Sequence, residues 1–388
     1  MPAKMRIYFL AIVTFILCLS TQIGVPALPR LSSEFGADQQ EIAAILSSTL
    51  MTLVVLQFFS GILADRYGRR AVLVSGAALG GLTSLLCAFA PNWQMLLALR
   101  ILGGAADAIA MPALLGLAAE ISEGRQGTFF GVLRSSQGLS FILAPSIGGW
   151  LSLYSLRAPF VADALLSFAA CAVLFVFVRG GKIEAGHRLD LSELAQVFSQ
   201  RRTWAFALFS ATNNFAFPIL AAFVPIKALA LGFEAWQIAL LLAMESLGFT
   251  VASFLVGRLA DRLGRRPFVI AAQPFIVLSC AALFLARDLT SLVAWYTLFG
   301  LASGTTFLLC LVMMADVTPQ ERAATTLGMF DAGIDLVIFF APMVGITASK
   351  AIGLDAALAL AGVPAVAAFV VALSVGETPH PPPHAGEG

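Results

Sequence analysis

Charge is scarce in this chain. Only 12% of its 388 residues are Asp, Glu, Lys or Arg, against roughly 25% in an ordinary globular protein. A water-soluble fold of this length cannot cover its surface with so few, so a soluble globular protein is excluded. Histidine is scarcer still. His187, His380 and His384 lie in a polar segment and a Pro-rich tail, which leaves carboxylates to carry any proton inside the apolar stretches. The five cysteines (Cys18, Cys87, Cys171, Cys280, Cys310) fall singly in apolar runs, with neither disulfide nor zinc spacing, so they read as small buried side chains and no metal site is expected. The net charge of +1 lacks the basic surplus that phosphate backbones demand, and nucleic acid is excluded as a partner. No Walker loop, metal-binding histidine set or Ser–His pairing is present, which excludes an enzyme or an ATP-driven pump.

Long apolar runs are what the chain has. Hydrophobic residues make up 59% of it. A bilayer core about 30 Å thick needs roughly 20 apolar residues per helix, and charge-free stretches meet this at 7–29, 42–64, 71–90, 135–156, 203–226, 267–286, 289–315 and 356–376. Four more spans, near 93–118, 159–178, 236–257 and 324–348, carry internal charges, and the fifth helix, at 128–150, includes Arg134. Twelve spans are predicted. The segment 179–202 divides them six and six as a linker between bundles at 1–178 and 203–376, and the tail 377–388 is expected to be disordered. With the N-terminus inside, most Lys and Arg fall on the cytoplasmic side, and only Arg30, Arg157, Lys227, Arg287 and Lys350 fall outside. The positive-inside rule therefore places both termini in the cytoplasm. Trp93, Trp150, Trp204, Trp236 and Trp295 lie at or near span ends, as interfacial anchors.

The two halves repeat. A shift of 196 residues (Asp65 to Asp261) overlays Gly61, Leu63, Ala64, Asp65, Arg66, Gly68, Arg69 and Arg70 on Gly257, Leu259, Ala260, Asp261, Arg262, Gly264, Arg265 and Arg266. It also overlays Asp38 on Glu234, Gly104 on Gly300 and Glu120 on Asp316, and after a one-residue insertion Gly131, Pro145 and Gly148 on Gly328, Pro342 and Gly345. Two similar six-helix units in one orientation make a pseudo-two-fold assembly about the membrane normal, with a binding site near the midplane between halves that rock.

Gly61-Ile-Leu-Ala-Asp65-Arg66-Tyr-Gly68-Arg69-Arg70 joins the second and third spans through a short turn. Gly61 allows close helix approach, Gly68 allows the turn, and Asp65 is placed to pair with the arginines or to face a helix N-terminus. With its second copy, this segment resembles the signature loop of the major facilitator superfamily. That likeness implies an all-α integral membrane fold of twelve transmembrane helices in two pseudo-symmetric six-helix bundles. It also implies that Asp65, Arg66, Arg69, Asp261 and Arg265 lock the cytoplasmic side. Within the superfamily, two further segments are similar to the twelve-span drug:proton antiporter group. Arg100-Ile-Leu-Gly103-Gly104-Ala-Ala-Asp107 resembles its fourth-span motif, which implies a role for Arg100 in proton coupling. Gly131, Ser140, Ala144, Pro145, Gly148 and Gly149 follow the spacing of its fifth-span antiporter motif, with Ser140 and Ala144 where glycine is usual. The likeness implies a proton gradient as driving force, no cofactor, and one chain as the transport unit.

Each ionisable group inside a bilayer costs about 2.5–3.5 kcal/mol on insertion scales, so each is a functional candidate. Arg100 and Asp107 share one face of the fourth span, Arg134 lies in the fifth, Glu245 in the eighth, and Asp331 and Asp335 one turn apart in the eleventh. The resemblance implies that spans 4, 5, 8 and 11 line a central cavity and that all six charges face it. Arg100 and Asp107 are about 10 Å apart along the helix, long for a direct pair. Arg134 is placed to pair with Glu245 or Asp331, as a gate or as a strut. Asp163, four residues into a peripheral span, reads as interfacial. Asn213 and Asn214 are mid-membrane, one for substrate and the other for a helix contact. The expectation is a proton-coupled exporter of a small amphipathic or cationic molecule in a bacterial-type inner membrane. The alternatives are a carrier of an anionic metabolite and a transporter-like assembly or sensor protein.

Overall fold

A computed structural model describes residues 3–122, 124–177 and 201–374. The linker at 179–202, apart from the helical Arg201 and Arg202, and the tail at 377–388 lie outside the described residues. Every element among the described residues is helical. The twelve longest, in chain order, are α1 (Ala3–Ile23), α2 (Gln39–Tyr67), α3 (Arg69–Ala88), α4 (Trp93–Ile121), α5 (Gln126–Ser152), α6 (Ala158–Phe177), α7 (Arg201–Ala230), α8 (Ala235–Leu263), α9 (Arg266–Leu285), α10 (Leu289–Asp316), α11 (Ala323–Ile352) and α12 (Val363–Ser374). Among the described residues, ten helical segments are long and apolar enough to cross a membrane. The remaining two spans are α5, whose hydropathy is diluted by Arg134, Gln137 and several serines, and the twelfth, which is broken. Its first part is a separate helix, Leu354–Leu360, and α12 starts after Gly362. The first span also stops earlier than its apolar run, at Ile23, because Pro26 and Pro29 open a new 3-10 turn and a short helix, Leu28–Glu34.

The repeat extends to the helix ends. Asp38 caps α2 in a reciprocal box with Glu41 (2.8 Å each way), and its mate Glu234 does the same for α8 with Gln237. Asn92 caps α4 through the Met95 amide at 2.8 Å. Asp288, its mate, caps α10 through the Ser291 amide at 2.9 Å, and the Ser291 hydroxyl and amide together hold the Asp288 carboxyl below its ordinary range. Gly68 and Gly264 turn α2 into α3 and α8 into α9 with φ of 93° and 90°, a backbone state that side chains rarely adopt.

Helices α1–α6 and α7–α12 form the two bundles. Between them α2 packs on α11 and α5 on α8; since α2 repeats as α8 and α5 as α11, one interface is the image of the other. Glycine sets the approach. A Cβ on Gly61 would strike the Ala324 carbonyl, and one on Gly257 the Gly127 carbonyl. At the end carrying these loops, one hydrophobic core is shared by both bundles, from Leu10 and Phe130 to Phe209, Leu309 and Leu327. At the opposite end the cores are separate, one around Leu31, Leu96 and Phe160 and another around Leu220, Tyr296 and Leu358. The bundles are therefore joined at the signature-loop end and part toward the other. Outward side chains such as Met51, Val55 and Phe59 are large, apolar and exposed, as a lipid-facing surface requires.

Candidate functional site: a cross-bundle network and three groups of membrane charge

Each signature loop sends its aspartate across the pseudo-two-fold. Asp65 accepts hydrogen bonds at the N-terminus of α11 from the Thr325 amide and hydroxyl (2.7 Å each) and the Ala324 amide (3.3 Å). Asp261 accepts the mirror set at the N-terminus of α5, from the Thr128 amide and hydroxyl (2.7 Å each) and the Gly127 amide (2.9 Å). A carboxylate there satisfies unpaired amides and meets the positive end of the helix dipole. Behind each aspartate stands an arginine. Arg69 binds Asp65 (3.1 Å), Glu120 (3.0 Å) and the carbonyls of Gly116 (3.0 Å) and Gln320. Arg265 binds Asp261 (3.4 Å) and Asp316.

Two motif residues stand outside this network. Arg66, expected in the lock, is exposed and lies over the Tyr67 ring at 5.4 Å; Arg262 is exposed as well. Both point off the face that their aspartates use, since neighbouring residues on a helix diverge. The loop residues Arg70 and Arg266 instead reach back within their own bundles, to the carbonyls of Phe175 (2.6 Å) and Leu373 (3.2 Å). Glu120, Asp316, Thr128 and Thr325 join this network without having been singled out by the motif; the repeat pairing of Glu120 with Asp316 was their one signal.

The fifth-helix motif is a two-faced spacer. Gly131 packs on α8, where a Cβ would lie 2.6 Å from the Ser253 carbonyl. Gly148 packs on α1, where a Cβ would strike the Ile23 carbonyl, and Ser140 donates to the Phe15 carbonyl of α1 at 3.0 Å. Pro145 lies inside α5. Gly149 has open space around it, so close packing is not its role.

The six membrane charges do not share one cavity. Arg134 and Asp331 form the first group, an ion pair of 3.0 Å across the bundles. Arg134 also donates to Gln137 (2.8 Å) and lies 4.3 Å above the Phe307 ring, leaving its Nε without a partner. Asp335, one turn further along α11, feels the charges of both. Glu245 is a second group. It is 4% exposed, takes a hydrogen bond from Ser246 at 3.1 Å, and acts electrostatically on the buried Tyr296, with no bond to Arg134. Arg100 and Asp107 form the third. They line a small cavity inside the first bundle with Thr83, Ser84, Asp163 and Ser167, and no ion pair joins the two. Asp163, near the start of α6, is packed inside the bundle: it is 6% exposed, and Ser84 (2.5 Å) and Ser167 (3.2 Å) donate to its carboxylate. Asn214 is satisfied within α7 by the Ser210 carbonyl (2.7 Å) and hydroxyl (3.1 Å), whereas the buried Asn213 keeps an unpartnered Oδ1.

Comparison with known proteins agrees with this geometry. The sequence model of the Major Facilitator Superfamily matches residues 10–244 and again 215–388. The quinolone resistance protein NorA of Staphylococcus aureus is 26% identical over 178 residues, 46% of each chain, so the match spans about half the length of that relative. An uncharacterized MFS-type transporter of Methanocaldococcus jannaschii is 22% identical over 344 residues, 86% of this chain and 88% of its own. Among solved structures, the human organic anion transporter MFSD10 (TETRAN) superposes with a TM-score of 0.83 at 17% identity, covering 96% of this chain and all of that one; at that identity the likeness is one of fold.

Proposed function

This chain belongs to the Major Facilitator Superfamily, and on that footing we propose that it is a secondary transporter that exports a small amphipathic or cationic molecule in exchange for protons. The observation that carries the reading is the layer of Arg134, Asp331 and Asp335 between bundles whose shared hydrophobic core lies at the signature-loop end. Asp65 and Asp261 hold that end shut, and opening it requires the halves to rock about the layer. A proton or a cationic substrate that reaches Asp331 or Asp335 competes with Arg134 for the carboxylates, which links occupancy to the strength of the bridge. Asn213 and Glu245 supply further polar contacts. The resemblance of half the chain to a quinolone resistance protein supports export of an organic molecule. The Lys and Arg bias supports a bacterial-type inner membrane with both termini and the signature loops cytoplasmic. One chain is the working unit, the proton gradient drives it, and no cofactor takes part.

The test is uptake into everted membrane vesicles with an acidified lumen. The reading expects a fluorescent organic cation to accumulate, a protonophore to release it, and Asp331→Asn to abolish accumulation. Accumulation that ignores the protonophore contradicts it. The unpartnered Nε atoms of Arg134 and Arg100 favour a second reading, passage of an anionic metabolite clamped by arginine; anion flux without proton movement is its mark.

A further inference from the structure

We propose that the second bundle holds a binding site for a monovalent alkali cation, built from oxygen atoms of α8, α9 and α10 around the carboxylate of Glu245. The site stands apart from the exchange reading, since neither a substrate nor a proton gradient is needed to fill it.

Five buried oxygens carry it. Glu245 Oε1, Gln273 Oε1, Ser279 Oγ, Tyr296 Oη and Ser303 Oγ each lack a hydrogen-bond partner, in residues that are at most 4% exposed. A hydroxyl on a helix usually gives its proton to a carbonyl one turn back. Thr305 and Thr306, close to Ser303 on α10, do so, to the Leu301 and Ala302 carbonyls at 2.9 and 3.0 Å. Ser279 and Ser303 do not. The Gln273 amide nitrogen donates to Thr306 at 3.3 Å and leaves the amide oxygen over. Tyr296 and Ser303, seven residues apart, share one face of α10, and Tyr296 feels the charge of Glu245.

The repeat brings these oxygens together. At the shift of 196 residues (Asp65 to Asp261) their mates are Thr49, Ala77, Thr83, Arg100 and Asp107, and all five mates line a single small cavity in the first bundle. The two copies differ in charge. The first bundle carries its own cation at this place, Arg100. The second has Tyr296 instead of the arginine, Ser303 instead of the aspartate, and its carboxylate on α8. Glu245 has no ion pair among the described residues: Arg134 of α5 is taken by Asp331 (3.0 Å) and Lys227 of α7 by Asp355 (2.8 Å).

A carboxylate without countercharge is costly in an apolar bundle. A proton would cancel the charge and engage one oxygen of the five. A cation among them cancels the charge and draws on a lone pair of each. Oxygen donors suit a hard cation, and one carboxylate balances one positive charge, not two. An alkali ion such as sodium thus supplies from solution the charge that Arg100 supplies in the first bundle.

The test is equilibrium binding of radioactive sodium to the full-length protein in lipid nanodiscs, without substrate, at fixed pH and with choline keeping the ionic strength constant. We expect saturable binding that unlabelled sodium displaces and choline does not. Glu245→Gln abolishes it. Tyr296→Phe and Ser303→Ala, each short of one oxygen, raise the half-saturating concentration roughly tenfold or more. Thr49→Val, at the mate of Glu245, leaves it unchanged. A parent protein without saturable binding overturns the proposal, and a carboxyl C=O infrared band lost in Glu245→Gln would then show that a proton holds the charge. Should Glu245→Gln fail to fold, unchanged affinity in both Tyr296→Phe and Ser303→Ala overturns it. An equal loss in Thr49→Val places the ion in the first bundle and overturns it as well.

Discussion

Arg134 and Asp331 hold one position of the repeated six-helix unit with opposite charges, and they meet. Each is the ninth residue of its helix, about 12 Å in from the signature-loop end at about 1.5 Å per residue. The pseudo-two-fold that relates α5 to α11 thus brings a position face to face with its own copy, and the sequence places Arg on one side and Asp on the other. A homologous pair of like charges here would hold the bundles apart.

The pair is buried, 4% and 9% exposed, so removing one partner leaves a charge without compensation. We expect Arg134→Gln or Asp331→Asn alone to cost about 3–5 kcal/mol and the double variant to cost much less than the sum. Reversible denaturation in mixed micelles measures the cycle. Additive losses would mean that the two residues do not act as a pair.

At the loop end, Asp65→Ala and Asp261→Ala each remove a helix cap supplied in trans. Such caps are worth about 0.5–2 kcal/mol, a shift of roughly 2- to 30-fold in the closed population. Spin labels at Arg66→Cys and Arg262→Cys, both exposed and off the network, read the separation of α2 and α8 in a background without native cysteines. Longer distances in either alanine variant are the expected result; an unchanged distribution would show that the caps do not hold the end shut.

The neighbouring glycines of α5 make an internal control. Gly148→Ala drives a methyl group into the Ile23 carbonyl, while Gly149→Ala meets open space. We expect Gly148→Ala to destabilise and to slow transport, and Gly149→Ala to be neutral or to gain up to about 1 kcal/mol from helix propensity. Thermal unfolding in detergent distinguishes them, and equal effects would refute the packing account of the motif.

Much of this was legible in residues alone, and the physical reason is that the bilayer simplifies the code. Span lengths, the repeat and the turn glycines Gly68 and Gly264 follow from hydropathy, spacing and backbone freedom. What periodicity cannot supply is the rotation of one helix against its neighbours. Arg100 and Asp107 share a face of α4, yet that face looks into the first bundle, toward Asp163, and not between the halves. Arg66 and Gly149 match motifs by position, but a motif does not say which of two adjacent residues points at the partner. Arg134 had two carboxylates within plausible reach; α5 packs on α8, which carries Glu245, yet the guanidinium turns to Asp331 on α11.

The central claim, that buried charge couples substrate to protons, is tested most directly by a pH dye sealed inside proteoliposomes as a panel of cationic, neutral and anionic compounds is added. The account predicts compound-dependent proton movement opposite to the compound's own, with cations most effective, and its loss in Asp331→Asn and Asp107→Asn. Compound flux that leaves the internal pH untouched would contradict it.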